Sequence, residues 1–299
     1  MNTPQHGIRA GLLVTGAVLA MSSLAACADQ SASAAPTTLR FAVTDLQGLE
    51  ELQREYGAFK DVLEEHTGLE VEFYAVNDRT AAAAALDNDH VDVVFTGPAE
   101  YVVIHENTGA EPVVAIRRPG YRSCVYTSSE SGITAMDQLE GEQVAMSDIG
   151  STSGHLGPSQ VLLEAGLEHG DNVTVLTVGD AVHEALVRGD VAAVGIGCHD
   201  YEEFMATAED PSDFTLLAEG DPLPPDLLMA RDGLDEETVE TLREAFEGHF
   251  PELLEAMLEG KDNAKYSGAE LVVVGDSDYD VVRSMFKAIG VDDFTEFVG

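Results

Sequence analysis

Twice along the chain, short β-rich runs alternate with segments of helical spacing, and few architectures accept that order. Residues 39–43 form a β-rich run, and residues 48–66 then space Leu49, Leu52, Tyr56, Phe59, Val62 and Leu63 as one helical face. Thr67-Gly68 stops that helix. A strand over 71–76 follows, and Asp78 is placed to cap a helix running through Thr80 and Ala81 to Leu86. Residues 91–95 are a mostly apolar strand, Thr96-Gly97-Pro98 is a turn, and Pro98 suits the first turn of the next helix. A strand over 113–116 ends the first block. The second block reads as strands at 123–127, 143–146, 173–178, 191–196, 214–218 and 227–230. Helical segments lie between them at 132–139, within 150–166, and at 181–187. The tail carries acidic amphipathic helices at 235–246 and 251–258, a strand at 271–274 and a last helix at 279–289. Such alternation is that of sheets covered by helices, the α/β class.

Two such blocks with a helical tail suit a two-lobed binder. The chain would build lobe 1 over 39–120, cross to lobe 2 over 121–220, and return to lobe 1 over 221–299. One doubly wound domain with a long helical tail is the alternative. The length of 299 residues allows either.

The N-terminus narrows the compartment. Arg9 is the only formal charge before an apolar run over 11–26, which is short and broken by Thr15, Gly16, Ser22 and Ser23. This reads as an export signal over 1–26 rather than a membrane span. It ends Leu24-Ala25-Ala26-Cys27, which resembles the bacterial lipobox, with Cys27 as the lipidated residue. The small, polar stretch to residue 38 reads as a tether over 27–38. The expectation is an extracytoplasmic protein, held to a membrane by lipid on Cys27 and otherwise soluble. The remaining cysteines, Cys124 and Cys198, form either a disulfide or two buried thiols. No CxxC pair or His-rich run marks a metal site, and no cofactor is expected.

Asp and Glu number 55 against 15 Lys and Arg, a formal charge of −40. With no basic stripe, phosphate neutralisation on nucleic acid is excluded. An acidic, lysine-poor surface favours a soluble monomer.

The most informative segment is Asp148-Ile149-Gly150-Ser151-Thr152-Ser153-Gly154-His155, between a predicted strand and a predicted helix. Ser151, Thr152 and Ser153 place three hydroxyls and free N–H groups at a helix N-terminus, which favours an anion. A plain N-cap is the bland alternative. Thr96 and Gly97 open a second helix in the same way. A hydrolase triad is rejected, because Gly150 to Gly154 sets Thr152 where a nucleophile elbow needs serine. No other motif supports an enzyme.

The ordered set of segments resembles the phosphate/phosphite/phosphonate-binding proteins that serve ABC importers. It comprises Leu39-Arg40-Phe41, Thr67-Gly68-Leu69-Glu70-Val71 and Val91 through Pro98 leading to Tyr101. Gly109-Ala110-Glu111-Pro112, Pro119-Gly120-Tyr121-Arg122-Ser123, the Ser151 run, Pro158 and Leu163-Glu164-Ala165-Gly166 continue it. The resemblance implies a type II, two-lobed periplasmic-binding-protein fold with mostly parallel sheets. It also implies a cleft that closes on a small oxyanion, and an ABC permease and ATPase as partners. Ser151, Thr152, Ser153 and Tyr101 take the family's ligand-binding positions, with Arg79, Tyr121, Thr96 and Gly97 as further candidates.

Two departures stand out. Gly179 occupies the place of a family histidine, with His183 one turn on reading as a surface residue. Gly197-Cys198-His199 stands where amine-binding members carry an acid, which argues against an amine-bearing ligand. Arg79 falls near a family tyrosine and can grip an oxyanion in its place. Two alternatives remain: a transferrin-like iron and anion binder using Tyr and His, and a ligand-sensing lipoprotein acting on a membrane kinase. The surface charge is expected to slow anion capture at low salt, while contact-range donors decide affinity.

Overall fold

The computed structural model describes residues 38–297 except 47, 77, 78 and 80. The export signal, Cys27 and all of the tether but Thr38 lie outside the described residues, as do Asp78 and Thr80.

The first sheet begins with β1 (Thr38–Val43), where Leu39, Phe41 and Val43 share one face and Ala42 the other. Helix α1 (Leu49–Thr67) buries Leu52, Tyr56, Phe59 and Leu63 on a single stripe. It stops at Gly68, whose left-handed φ of 70° turns its N–H back to Glu64 O. Then follow β2 (Glu70–Phe73), α2 (Ala81–Asp87), β3 (Val93–Thr96), α3 (Pro98–Thr108) and β4 (Glu111–Arg117). β3 is buried throughout, as its unbroken apolar run demands of a central strand.

The chain then builds a second sheet from β5 (Ser123–Ser128), β6 (Gln143–Met146), β7 (Thr174–Thr177), β8 (Ala193–Gly197) and β9 (Phe214–Glu219). Helices α4 (Gly157–Glu164), α5 (Val182–Val187) and α6 (Cys198–Thr207) flank it. β10 (Asp226–Ala230), α7 (Glu236–Met257), β11 (Glu270–Val272) and α8 (Asp280–Ala288) return to the first sheet. The strand orders are β11-β4-β10-β3-β1-β2 and β7-β6-β8-β5-β9.

Both sheets are mixed rather than mostly parallel. β1 runs parallel to β2 and β3, but β10 is antiparallel to β3 and β4, and β11 to β4. In the second sheet β5 is antiparallel to β8 and β9. The antiparallel members include the strands flanking the crossings between sheets, β4, β5, β9 and β10, which no βαβ crossover brings in.

Helices cover both faces of each sheet. α1 and α7 pack on Phe41, Phe95 and Leu228, with Phe59 and Phe246 ring centroids 6.1 Å apart. α2, α3 and α8 pack on Val94, Leu227 and Met229, and Leu156 from the second block joins that core. α7 runs through both expected tail helices with a break at His249 (φ −132°, ψ 21°), two residues before Pro251, whose ring cannot continue a regular helix. The expected helix over 132–139 is replaced by two single turns, Ser129–Ser131 and Met136–Leu139. α6 was not expected: only Cys198 in it is fully buried, and its packing face is limited to the half-buried Tyr201 and Phe204 against the second sheet. Cys124 and Cys198 are joined as a disulfide, which ties β5 to the start of α6.

Candidate functional site

A cavity of about 480 Å³ opens between the two sheets. Asp45 follows β1, Gly97 follows β3, Ser147 and Asp148 follow β6, Asp180 follows β7 and Asp200 follows β8, and all of them line it. These are the carboxyl ends of the parallel strands, where an α/β sheet leaves its crevice.

Three cations reach the cavity: Arg79, Arg118 and Lys265. Each is matched by a buried or half-buried acid. Arg79 Nη1 donates to Asp45 Oδ1 at 2.5 Å and to Glu100 Oε1 at 2.8 Å. Its Nη2 lies 3.8 Å from Asp148 Oδ2, across the cavity. Lys265 Nζ donates to Asp45 Oδ2 at 3.0 Å. Burial opposes the charge of Asp45, yet Lys265, Arg79 and Arg118 together hold its carboxyl well below the ordinary range. Burial raises Glu100 and Asp226, and Arg79 and Arg118 respectively only partly offset it. Arg118 Nη2 donates to Asp226 Oδ1 at 3.1 Å. Its Nε sits 2.6 Å from Oδ2, but off the N–H axis, so both atoms are buried without a hydrogen bond among the described residues. Seven carboxylates line the cavity against the three cations.

The serine segment is held by its own backbone. Gly150 takes a left-handed φ of 86° to turn the chain after β6. A methyl on Gly154 would lie 2.6 Å from Ser147 Cβ, so only glycine lets the loop fold under Ser147. Ser151 Oγ accepts from Gly154 N–H at 3.2 Å and caps a wide helical turn, Thr152–Leu156, that leads into α4. The N–H groups opening this turn have no partner within the helix. His155 Nδ1 accepts from Gly150 N–H at 3.2 Å, and burial lowers its pKa to about 4, so the ring is the neutral acceptor that this bond needs.

The structure separates the expected site residues. Ser151, Thr152, Ser153, Arg79, Tyr121 and Gly97 line one cavity. Ser153 Oγ and the Tyr121 hydroxyl make no hydrogen bond among the described residues. The Tyr121 ring lies under the Arg118 guanidinium, 3.5 Å from its carbon. Thr152 is engaged already: its Oγ1 accepts from Ala99 N–H at 2.9 Å, joining the second sheet's turn to the start of α3.

Tyr101 is corrected. It is 2% exposed, packs 4.3 Å from Tyr279, donates to Asp276 at 3.0 Å and does not line the cavity. At this point on α3 the side chain faces the core. Thr96 is corrected too, since its hydroxyl meets Thr44 at 3.1 Å inside the sheet. Gly97 lines the cavity, but the α3 N-terminus is filled by Thr152 and by the Glu100 carboxylate, which accepts from its own N–H.

Gly179 has a left-handed φ of 59°, and a Cβ added there would lie 3.0 Å from Asp148 Oδ1, so a histidine would be strained and would crowd a carboxylate. His183 is half-buried rather than a surface residue, bonded to the Tyr126 hydroxyl and stacked on Phe204. Arg118, Lys265, Asp45 and Asp226 were missed. Their one signal is scarcity: with so few cations in the chain, an Arg117-Arg118 pair beside the crossing is conspicuous.

Two mixed α/β sheets whose loop ends enclose a polar cavity define a solute-binding protein of the type II periplasmic architecture. Residues 41–261 match the family described as "ABC transporter, phosphonate, periplasmic substrate-binding protein", and the chain belongs to that family. A curated relative, the phosphate-import protein PhnD of Mycolicibacterium smegmatis, is 28% identical over 285 residues, 85% of this chain and 87% of the relative. Among solved structures, XAC2383 from Xanthomonas citri bound to ATP superimposes with a TM-score of 0.69 at 17% identity, covering 85% of this chain and 97% of that one. PhnD1 from Prochlorococcus marinus in complex with methylphosphonate gives 0.67 at 15% identity, covering 85% and 99%. The family is a transporter component that binds solute outside the cytoplasm. Among the described residues, no helix is long and apolar enough to cross a membrane.

Proposed function

We propose that this chain is the solute-binding lipoprotein of an ABC importer, which takes phosphate, phosphite or a phosphonate between two lobes and delivers it to a membrane permease. Lobe 1 comprises 39–120 and 221–299, lobe 2 comprises 121–220, and the crossings, read from the sequence near 121–126 and 220–229 and leading in the structure into β5 and β10, act as the hinge. Cys27, once lipidated, anchors the protein after removal of 1–26. The reading rests chiefly on one observation. The Ser153 and Tyr121 hydroxyls, both without hydrogen-bond partners among the described residues, meet the opening turn of a helix and the Arg118 guanidinium around a single cavity between the sheets. Neutral donors at a helix N-terminus suit a small tetrahedral oxyanion. The relative named for phosphate import and the fold neighbour holding methylphosphonate point to the same ligand class. The iron-binding alternative finds Tyr121 on this cavity wall and, among the described residues, a histidine only in the small adjoining pocket, His199.

The test is thermal melting against phosphate, phosphite, methylphosphonate, 2-aminoethylphosphonate, sulfate and ferric citrate. A ligand at 100 times its Kd adds about 2.7 kcal/mol. The expected result is a rise with one or more of the phosphorus oxyanions and none with sulfate. The aminophosphonate belongs in the panel because Asp200 reaches the cavity: a methyl on Gly197 would lie 2.5 Å from its Oδ2 and 3.0 Å from Ser153 Oγ. A rise with ferric citrate alone, or with no member of the panel, refutes the oxyanion reading.

A further inference from the structure

On the outer side of the first sheet, far in sequence from each other, two histidines and a glutamate meet. His66 is in the last turn of α1, His249 sits at the break in α7, and Glu252 is one turn further along α7. None of the three lines the cavity between the sheets. We propose that His66, His249 and Glu252 form a binding site for a late first-row divalent metal ion such as Zn2+, clamping the end of α1 to α7.

The argument starts from the donor set. Two imidazole nitrogens and one carboxylate oxygen are borderline ligands, which suit zinc and its neighbours over calcium or magnesium. The metal-binding atoms of the three residues all lie within 4.8 Å of one another. His66 Nε2 is 2.9 Å from Glu252 Oε2, and His249 Nδ1 is 3.5 Å from Oε1. A tetrahedral ion with bonds of about 2.0–2.1 Å spreads its ligands roughly 3.3 Å apart. The cluster therefore has to contract by no more than about 1.5 Å at its widest.

The imidazoles are stacked, with ring centroids 3.6 Å apart and planes 13° apart. An ion in the plane of both rings requires each to turn about its outer side-chain torsion. His249 and Glu252, 43% and 63% exposed, have room to turn, while His66, at 14%, is the more confined of the two rings. The break in α7 supplies the positioning. A regular helix would carry the chain past His249 without the non-helical ψ of 21° found there. Three protein ligands leave a fourth position for water or for a donor from another molecule.

The full chain, purified without a histidine tag and stripped with EDTA, is titrated with Co2+ and followed by visible absorption. Zn2+ is then used to displace the cobalt. Melting is recorded with and without Zn2+. The expected result is one Co2+ per chain with ligand-field bands displaced by Zn2+, and a Zn2+-dependent rise in Tm. In His66→Gln with His249→Gln, the affinity should fall by roughly tenfold or more. Ser153→Ala should leave it unchanged. Glu252→Gln, at an exposed position, is the second variant should the double change fold poorly, and it should weaken Co2+ binding without altering the metal-free Tm. Absence of stoichiometric Co2+ binding overturns the proposal. So does binding that persists unchanged in both the double variant and Glu252→Gln, which would place the metal among the cavity carboxylates.

Discussion

Ser153→Ala isolates ligand contact from folding. The Ser153 hydroxyl has no hydrogen-bond partner among the described residues, and the residue is only half-buried. Its backbone carbonyl, which accepts from Ser123 Oγ at 2.9 Å, is untouched by the change. The unliganded protein therefore loses no bond, and its stability should stay within about 0.5 kcal/mol. The liganded protein loses one hydrogen bond to a charged oxygen, worth about 1.5–3 kcal/mol. That corresponds to a Kd raised roughly 10- to 150-fold. Isothermal titration with whichever oxyanion raises the Tm reads the change in Kd, and urea unfolding without ligand reads the change in stability. A Kd within about twofold of the parent, at unchanged stability, would refute the assignment of Ser153 to the ligand. Thr152→Val provides the contrast. Its hydroxyl accepts from the buried Ala99 N–H, so that variant leaves a donor unsatisfied and should lose about 1–3 kcal/mol of stability even without ligand.

Arg118→Met removes the partner of a carboxylate that is 2% exposed, and should destabilise the protein by about 3–5 kcal/mol in urea unfolding. A loss under about 1 kcal/mol would mean that Asp226 is protonated or reaches water. Replacing both Cys124 and Cys198 by alanine opens a loop with a separation of 74 residues and should lower stability by about 4 kcal/mol, with reductant then having no further effect on Tm. His155 should make stability fall with pH. Its folded pKa of about 4 lies below the ordinary 6.5, so the unfolded chain binds more protons between those values. The contribution is complete above about pH 6.5 and disappears as pH falls toward 4, about 3 kcal/mol in all. The difference between parent and His155→Asn across that window is the measurement, because Glu100 and Asp226, with raised pKa values, act in the opposite sense in both proteins.

The alternation of strand and helix is legible because each element buries one face, and the spacing of apolar residues records which. It fails where the buried face is slight, as in α6, and where neither face nor length says which way a strand runs, as in the antiparallel pairing of β10 with β3. The serine segment is legible for a different reason: three hydroxyls before a helix are a local pattern. Tyr101 misleads because position on a helix, not nearness to a turn, decides where a side chain points. Two residues beyond Ala99, whose N–H meets the cavity's Thr152, the ring already faces the core. The ion pairs of the cavity escape because they join residues distant in sequence, Asp45 with Lys265 and Arg118 with Asp226, and nothing local marks either member.

Those pairs bear on the ligand more than the serines do. The positive charge of Arg79, Arg118 and Lys265 is largely balanced by Asp45, Glu100 and Asp226, so little of it is left for an incoming anion. What remains on the wall is neutral donors together with Glu51, Asp148, Asp180, Asp200 and Asp262. Two like charges 4 Å apart at an effective dielectric of 20 repel by about 4 kcal/mol. A fully ionised oxyanion with no proton to give meets that repulsion with nothing to offset it. A phosphate, phosphite or phosphonate that keeps a proton can donate it to a wall carboxylate and turn the repulsion into a charge-assisted hydrogen bond. If the proposed function holds, the serine turn sets the geometry of the bound group, and the acidic wall favours groups of that geometry that carry a hydrogen to donate.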